Sequence, residues 1–335
     1  MVWLLVFLKE RALGVMKEHV IFSVVVPLFN EEEVIQESYK RLKKVMDGLN
    51  EPYELVFVND GSRDKTAFLA REICENDSNV KLINFSRNFG HQTAITAGMD
   101  YSSGDAVVVI DADLQDPPEV IPQMIAKWRE GYDVVYGQRM KRKGETFFKK
   151  LTAKVFYRTL RRLTEVDIPV DTGDFRLIDR KVCNALKKVS ERNRYIRGII
   201  SWLGFKSAPV AFVREKRFAG TTKYPLKKML KFASDAIMSF SYKPLKLATY
   251  LGFLVSVGSF IYLLVTVILK LCGAMTAVPG WTSIIVLTLF FNGIILLVLG
   301  IIGEYIGRIY DEAKGRPLYV VQDMVNFPED IREER

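Results

Sequence analysis

Ala106-Val107-Val108-Val109-Ile110-Asp111-Ala112-Asp113-Leu114-Gln115-Asp116-Pro117-Pro118 decides how this chain is read. The apolar run from Ala106 to Ile110 predicts a buried strand of a parallel sheet. Such a strand delivers Asp111 and Asp113 to its C-terminal tip, and alternate strand residues share a face. In open α/β sheets, ligands bind at that edge. Hard oxygen donors there suit Mg2+ or Mn2+ together with the diphosphate such an ion carries. Asp-x-Asp by itself is common in surface turns. Its weight here comes from the strand before it and from Asp60 at the tip of an earlier strand.

Working outward, the alternation of short apolar runs and amphipathic stretches predicts a mainly parallel α/β sheet with helices on both faces. Strands are expected at 21–26, 53–58, 80–85, 106–110 and 133–136. Helices are expected at 31–46, 66–76, 92–101 and 119–130, the last behind Pro117-Pro118, where a first turn tolerates proline. Asn30 is placed to cap the first helix, with Glu33 as its capping-box partner. Beyond Gly137 the pattern loosens into a basic loop (139–150) and an amphipathic helix (151–163). Further strands are expected at 175–178 and 209–213.

The C-terminal third changes character. Leu247 to Leu269 carries no charged residue, and neither does Leu271 to Gly303. About 20 helical residues cross a hydrocarbon core, so two spans are expected, at 247–269 and 281–303, joined by a turn at Ala277-Val278-Pro279-Gly280-Trp281. Residues 226–246 read as an amphipathic juxtamembrane helix lying on the bilayer. The organisation expected is thus a lead at 1–20 that forms an interfacial anchor, a catalytic domain at 21–225, the juxtamembrane helix, the two spans, and a polar tail at 304–335.

Net charge is +9 over 335 residues. The basic residues gather before the first span, at Lys223, Lys227, Lys228, Lys231, Lys243 and Lys246. Anionic lipid headgroups account for that cluster better than nucleic acid does. The positive-inside rule then places the catalytic domain and both termini in the cytoplasm, at the inner membrane. Cys74, Cys183 and Cys272 are far apart and lack metal-ligand spacing. The sequence shows no Ser/His/Asp or Cys/His triad, P-loop or zinc site.

Three sets of residues carry the expected chemistry. Asp60, Asp111 and Asp113 line one sheet edge, with Asp60 suited to a base or ribose. Arg139, Arg217 and Lys223 are candidates to balance the charge of a departing diphosphate, and Lys223 equally suits a lipid phosphate. Asp174, in Asp171-Thr172-Gly173-Asp174-Phe175-Arg176, can act as a base, orient an acceptor, or form a structural pair with Arg176. His91 opens a helix with no catalytic constellation in the sequence around it and reads as a cap or packing residue.

Together with Val26-Pro27-Leu28-Phe29-Asn30-Glu31, Val58-Asn59-Asp60-Gly61-Ser62 and Ser86-Arg87-Asn88-Phe89-Gly90, these motifs make the chain resemble the family 2 glycosyltransferases with a GT-A fold. Within them it is similar to the polyisoprenyl-phosphate glycosyltransferases, bacterial relatives of dolichol-phosphate mannose synthase, from about Ile21 to Arg316. The resemblance implies that Pro27, Phe29, Glu31, Val58 and Asp60 surround the nucleotide. It implies that Asp111 and Ala112 contact the sugar nucleotide, and that Asp113 and Gln115 bind Mg2+ or Mn2+. Arg139, Arg217 and Lys223 would contact the diphosphate or acceptor phosphate, and Asp174 would lie near the reacting centre. Phe29 departs from the Tyr often found in relatives and loses a hydroxyl. The implied reaction is inverting transfer of one hexose from a nucleotide sugar, UDP-linked, to a polyprenyl phosphate such as undecaprenyl phosphate. Relatives are often tetramers. A glycolipid or polysaccharide acceptor is the rival reading, but the Gln-x-x-Arg-Trp signature and extra spans of processive relatives are absent.

Overall fold

The computed structural model describes residues 19–140, 172–215, 243–272 and 280–329. The core is an eight-stranded sheet in the order β7-β5-β6-β4-β1-β2-β3-β8. In chain order, β1 (Phe22–Leu28), β2 (Tyr53–Asn59), β3 (Val80–Phe85) and β4 (Ala106–Val109) alternate with α1 (Ile35–Asp47), α2 (Thr66–Asn76) and α3 (His91–Tyr101). A short 3-10 turn (Pro118–Val120) leads into α4 (Ile121–Arg129) and β5 (Val134–Arg139). There follow β6 (Thr172–Asp179), α5 (Arg180–Lys187), α6 (Ile196–Leu203) and β7 (Ser207–Phe212). Strands β1 to β5 and β7 run parallel to one another, while β6 and β8 run against them. This is the mostly parallel GT-A arrangement that the motifs imply.

The central strands are apolar without alternation because helices cover both faces. Val24 and Val26 of β1 pack with Ile35, Leu42 and Met46 of α1. Val25, between them, packs on the opposite side with Ala94, Ile95 and Met99 of α3. The β1, β2 and β4 segments are buried throughout.

Helix α1 starts later than expected, at Ile35, and its N-cap residue Val34 makes no side-chain cap. The capping box at Asn30 does not form. Asn30 sits at φ 53°, in the left-handed region that Asn tolerates. Its Oδ1 accepts the backbone N–H of Arg63 at 2.9 Å, so the side chain braces the loop after β2 instead. Arg139 belongs to β5 rather than to a loop. The expected helix at 151–163, residues 226–242 of the expected juxtamembrane helix and residues 1–18 of the lead lie outside the described residues, while Lys243–Lys246 belong to the next helix.

Two long helices follow, α7 (Lys243–Leu271) and α8 (Trp281–Ala313). Residues Phe290–Ala313 form a helix long and apolar enough to cross a membrane, with a mean hydropathy of 1.9. Helix α8 runs past Gly303 through Glu304, Arg308 and Asp311. The tail then returns to the domain. Its strand β8 (Val321–Val325) pairs antiparallel with β3, Tyr319 stacks on Phe85, and Phe327 is buried.

Candidate active site

The reversed strand β6 builds the site. Its register sets Val109 of β4 against Arg176, so the start of β6 lies beside the end of β4. The antiparallel pairing therefore carries Asp174 to the edge where Asp111 emerges. Loop positions complete the edge: Asp60 follows β2, and His91 opens α3 just beyond β3.

Asp111, Asp174 and His91 meet there. His91 Nε2 lies 3.4 Å from Asp111 Oδ1 and 3.3 Å from Asp174 Oδ2. Arg197, on α6, donates from Nε to Asp174 Oδ1 at 2.9 Å and from Nη2 to Oδ2 at 3.3 Å. Its Nη1 reaches the carbonyl of Thr172. Gln92 Nε2 donates to Asp174 Oδ2 at 3.2 Å, while its Oε1 accepts the N–H of Ile196. Asp174 thus faces three donor side chains from two helices. Arg176, also buried, turns back to the carbonyls of Gly173 and Asp174.

These contacts set the charge states. Burial works against the charge on Asp174, but Arg197, His91 and Arg176 outweigh it and hold the carboxyl far below the usual range. Burial likewise opposes a charged His91, yet Asp111 and Asp174 push the imidazole up to about 9. Burial pushes Asp111 up to about 6, against the pull of His91 and with the repulsion of Asp174, Asp113 and Asp116.

Asp116, only 1% exposed, forms a second ion cluster. Arg139 Nη2 lies 3.2 Å from its Oδ2, and Arg214 Nε lies 3.6 Å from its Oδ1. A Cβ on Gly173 would come within 2.6 Å of Arg139 Nη2, so a larger residue there would push the guanidinium tip aside. Between the two clusters the chain turns sharply. Leu114 is buried at φ 57°, a strained conformation for such a residue. The turn brings the N–H of Gln115 to Asp113 Oδ1 at 3.1 Å.

The residues expected to surround a nucleotide are arranged differently from the simplest expectation. Asp60 is 2% exposed and accepts from the N–H groups of Phe89 and Gly90 and from Asn88 Nδ2. It therefore organises the Ser86–Gly90 loop and the entry to α3. Val58 is fully buried in the core, and Pro27 and Ala112 are also buried. Phe29 and Glu31 are partly exposed on the loop after β1. Glu31 fixes that loop through its N–H to Thr66 Oγ1 at 2.8 Å. Arg217 and Lys223 lie outside the described residues.

Several participants escape a reading of the sequence. The N-cap of α3 is Gly90, which supplies no side-chain cap, and Asp60 braces the loop just before it. His91 is thus not the cap that its position suggests. Arg197, Gln92 and Arg214 carry no motif of their own. Asp116 stood in plain view beside Asp113, but only the fold reveals that its partners are arginines.

A divalent cation fits the residues present. Asp113 and Gln115 offer hard oxygen donors on a tight turn. Oδ1 of the adjacent Asp111 is shut from solvent and makes no hydrogen bond among the described residues. Among the described residues no group of three or more His, Cys, Asp or Glu side chains is arranged to hold a metal ion by itself. That suits an ion such as Mg2+, which is commonly bound by one or two carboxylates plus substrate phosphates.

The family model for glycosyl transferase family 2 matches residues 23–187, and that for the GtrB C-terminal hairpin matches 243–309. The chain is 61% identical to an uncharacterized glycosyltransferase, YkcC, of Bacillus subtilis, over 92% of this chain and 95% of that one. It is 41% identical to the bactoprenol glucosyl transferase of Shigella phage SfV, over 90% of this chain and 98% of that one. Among solved structures, glucosyl-3-phosphoglycerate synthase from Mycobacterium tuberculosis, in complex with Mn2+, UDP and glucosyl-3-phosphoglycerate, is 20% identical at a TM-score of 0.45, over 65% of this chain and 78% of that one. The chain belongs to the family 2 glycosyltransferases, among the polyisoprenyl-phosphate glycosyltransferases that carry a GtrB C-terminal hairpin.

Proposed function

We propose that the protein transfers a single hexose from a UDP-sugar to undecaprenyl phosphate or a similar polyprenyl phosphate at the cytoplasmic face of the membrane, with inversion. The observation that carries this reading is the pinned state of Asp174. Its carboxylate is held by Arg197, His91 and Gln92 well away from any protonated form. Such a group is a poor proton acceptor. A phosphate acceptor needs none, because it is largely ionised at neutral pH. One of its oxygens attacks the anomeric carbon as the bond to the diphosphate breaks, and UDP leaves with that electron pair. No proton has to be removed.

Asp113 and Gln115 would hold the divalent cation, which supplies positive charge to the diphosphate when bound. Asp111 faces the sugar nucleotide, and Arg139 joins the nearby cations. The two apolar stretches would cross the bilayer as a hairpin. Large exposed apolar side chains along both helices, among them Phe253, Phe260, Leu271 and Leu296, support that placement. The lysine-rich segment before α7 would face anionic headgroups, which puts the site where the acceptor phosphate lies.

The test is UDP release by the full chain in membranes, with and without polyprenyl phosphate, joined to mass spectrometry of the lipid product. Release that requires the phosphate, and a lipid one hexose heavier, is expected. Asp113→Ala should abolish both while the protein still inserts and folds. Normal turnover in that variant rejects the metal role. Release that needs a glycolipid or polysaccharide instead rejects the acceptor.

A further inference from the structure

Charge in the site is unevenly shared. Asp116 faces two arginines, Arg139 and Arg214. Asp174 faces Arg197 and His91. For Asp111, His91 is the one cationic side chain within ion-pair distance among the described residues. The imidazole also stands where a cation is otherwise unwelcome. It is the first residue of an eleven-residue helix, and the positive end of a helix dipole disfavours positive charge. The N-cap of α3 is Gly90, and Asp60 braces the loop before the helix through the N–H groups of Phe89 and Gly90. A neutral residue would serve the helix as well or better. What a neutral residue would not do is stand between two carboxylates at the edge where two anionic substrates meet.

We propose that His91 is a positioning residue for glycosyl transfer, a cation that bridges Asp111 and Asp174 and holds both carboxylates in place while donor diphosphate and acceptor phosphate bind beside them. The assignment rests on the glycosyltransferase reading above and adds a residue to it. His91 forms no bond to the reacting atoms. Its effect passes through the two carboxylates. Without it, Asp111 keeps a buried oxygen with no cation at ion-pair distance among the described residues, and it is left to the repulsion of the neighbouring Asp174. The arrangement required at the anomeric carbon is then lost more than the affinity for the nucleotide, whose expected contacts are the residues at the ends of β1 and β2.

The experiment compares His91→Gln and His91→Asn with His91→Lys in the full-length membrane protein, using hexose transfer to polyprenyl phosphate and the affinity for UDP as separate readouts. Gln and Asn keep a hydrogen-bond donor and remove the charge; Lys keeps the charge. The neutral variants should lose about thirtyfold or more in kcat, with UDP affinity within about threefold of the parent, and Lys should recover at least about tenfold of that loss. Retained UDP affinity also shows that the variants are folded. Parental kcat in both neutral variants overturns the assignment. So does a Lys variant as slow as Gln, because shape and not charge would then be at issue. Loss of UDP binding in all three makes the residue structural and equally overturns it. Failure of the parent protein to modify polyprenyl phosphate would instead count against the acceptor proposed above, whatever the variants do.

Discussion

Arg197 Nε lies 2.9 Å from Asp174 Oδ1, and this pair ties the start of α6 to the start of β6 at the site. The carboxylate is 8% exposed as a residue, and the guanidinium reaches it from the side of the sheet that α3 and α6 share. A buried pair of this kind adds little net stability over an apolar one, but removing one partner leaves an uncompensated charge. Arg197→Met should therefore lower stability by roughly 3 kcal/mol, less than a fully buried pair would lose, because Arg197 keeps some contact with water. Arg197→Lys should lose less, since one ammonium can meet Asp174 but not the Thr172 carbonyl in the same fork. Denaturant unfolding of the purified protein in detergent measures both. An Arg197→Met midpoint equal to the parent's would show that the pair is not an anchor.

Glu54 gives a separate prediction, about pH. It lies in β2 at 2% exposure, and it pairs with Lys81 and accepts from Ser23 Oγ at 2.6 Å and Ser103 N at 2.6 Å. Burial alone would raise its carboxyl, but Lys81, Ser23 and Ser103 together hold it below its ordinary value near 4.5. The folded state thus favours the charged form more than the unfolded state does. The stabilisation is complete above the unfolded value and is lost as pH falls through the folded one. Glu54→Gln should cost about 2–3 kcal/mol at pH 7 by leaving Lys81 without its partner. It should also flatten the acid limb of the stability curve below about pH 4.5, which unfolding midpoints from pH 3 to 7 would display.

Much of this was legible in the chain, for identifiable reasons. Helix α2 and strand β3 fall where the apolar pattern sets them, because each is closed by turn residues and each buries a continuous face. The Asp-x-Asp tip was legible because a β-branched run leads into it. Strand β8 was not, because Val-Gln-Asp-Met-Val carries too little apolar character to announce itself. It is an edge strand that gains its place from β3 and from polar partners, Asp323 with Arg71 and Asn84. The cations of the site were hidden for a related reason. Arg197 and His91 lie 23 and 83 residues from Asp174 in the chain, so only the reversed direction of β6 brings the three together.

The seat of α3 sets where His91 stands, and Gly98 sets that seat. A Cβ at Gly98 would lie 2.1 Å from Val25 Cγ1. Gly98→Ala would gain about 1 kcal/mol in helix propensity. It would lose more by forcing α3 off β1, for a net destabilisation of about 1–3 kcal/mol. Trimming Val25 opens the space, so Gly98→Ala should be neutral or stabilising when placed on Val25→Ala. A double-mutant cycle in chemical denaturation should give a coupling of more than about 1 kcal/mol. Additive losses would mean that the helix does not rest on that contact.

The returning tail depends on one side chain. Asn326 sits at φ 62°, and its Nδ2 donates to the carbonyls of Cys74 at 2.7 Å and Val80 at 2.8 Å. It thereby fastens β8 to the end of α2 and the start of β3. Asn326→Ala leaves two carbonyls unmet and puts an alanine in the left-handed region, for a local cost of roughly 2–3 kcal/mol. Asn326→Gly keeps the backbone at ease and loses only the hydrogen bonds, so it should cost less. Because the strand belongs to an edge, the loss should show as local opening. Amide exchange across 319–327 should quicken by about thirtyfold or more in the alanine variant, while β1 and β2 keep their protection. Unchanged exchange in the tail would mean that Tyr319, Asp323 and Phe327 hold the strand without Asn326.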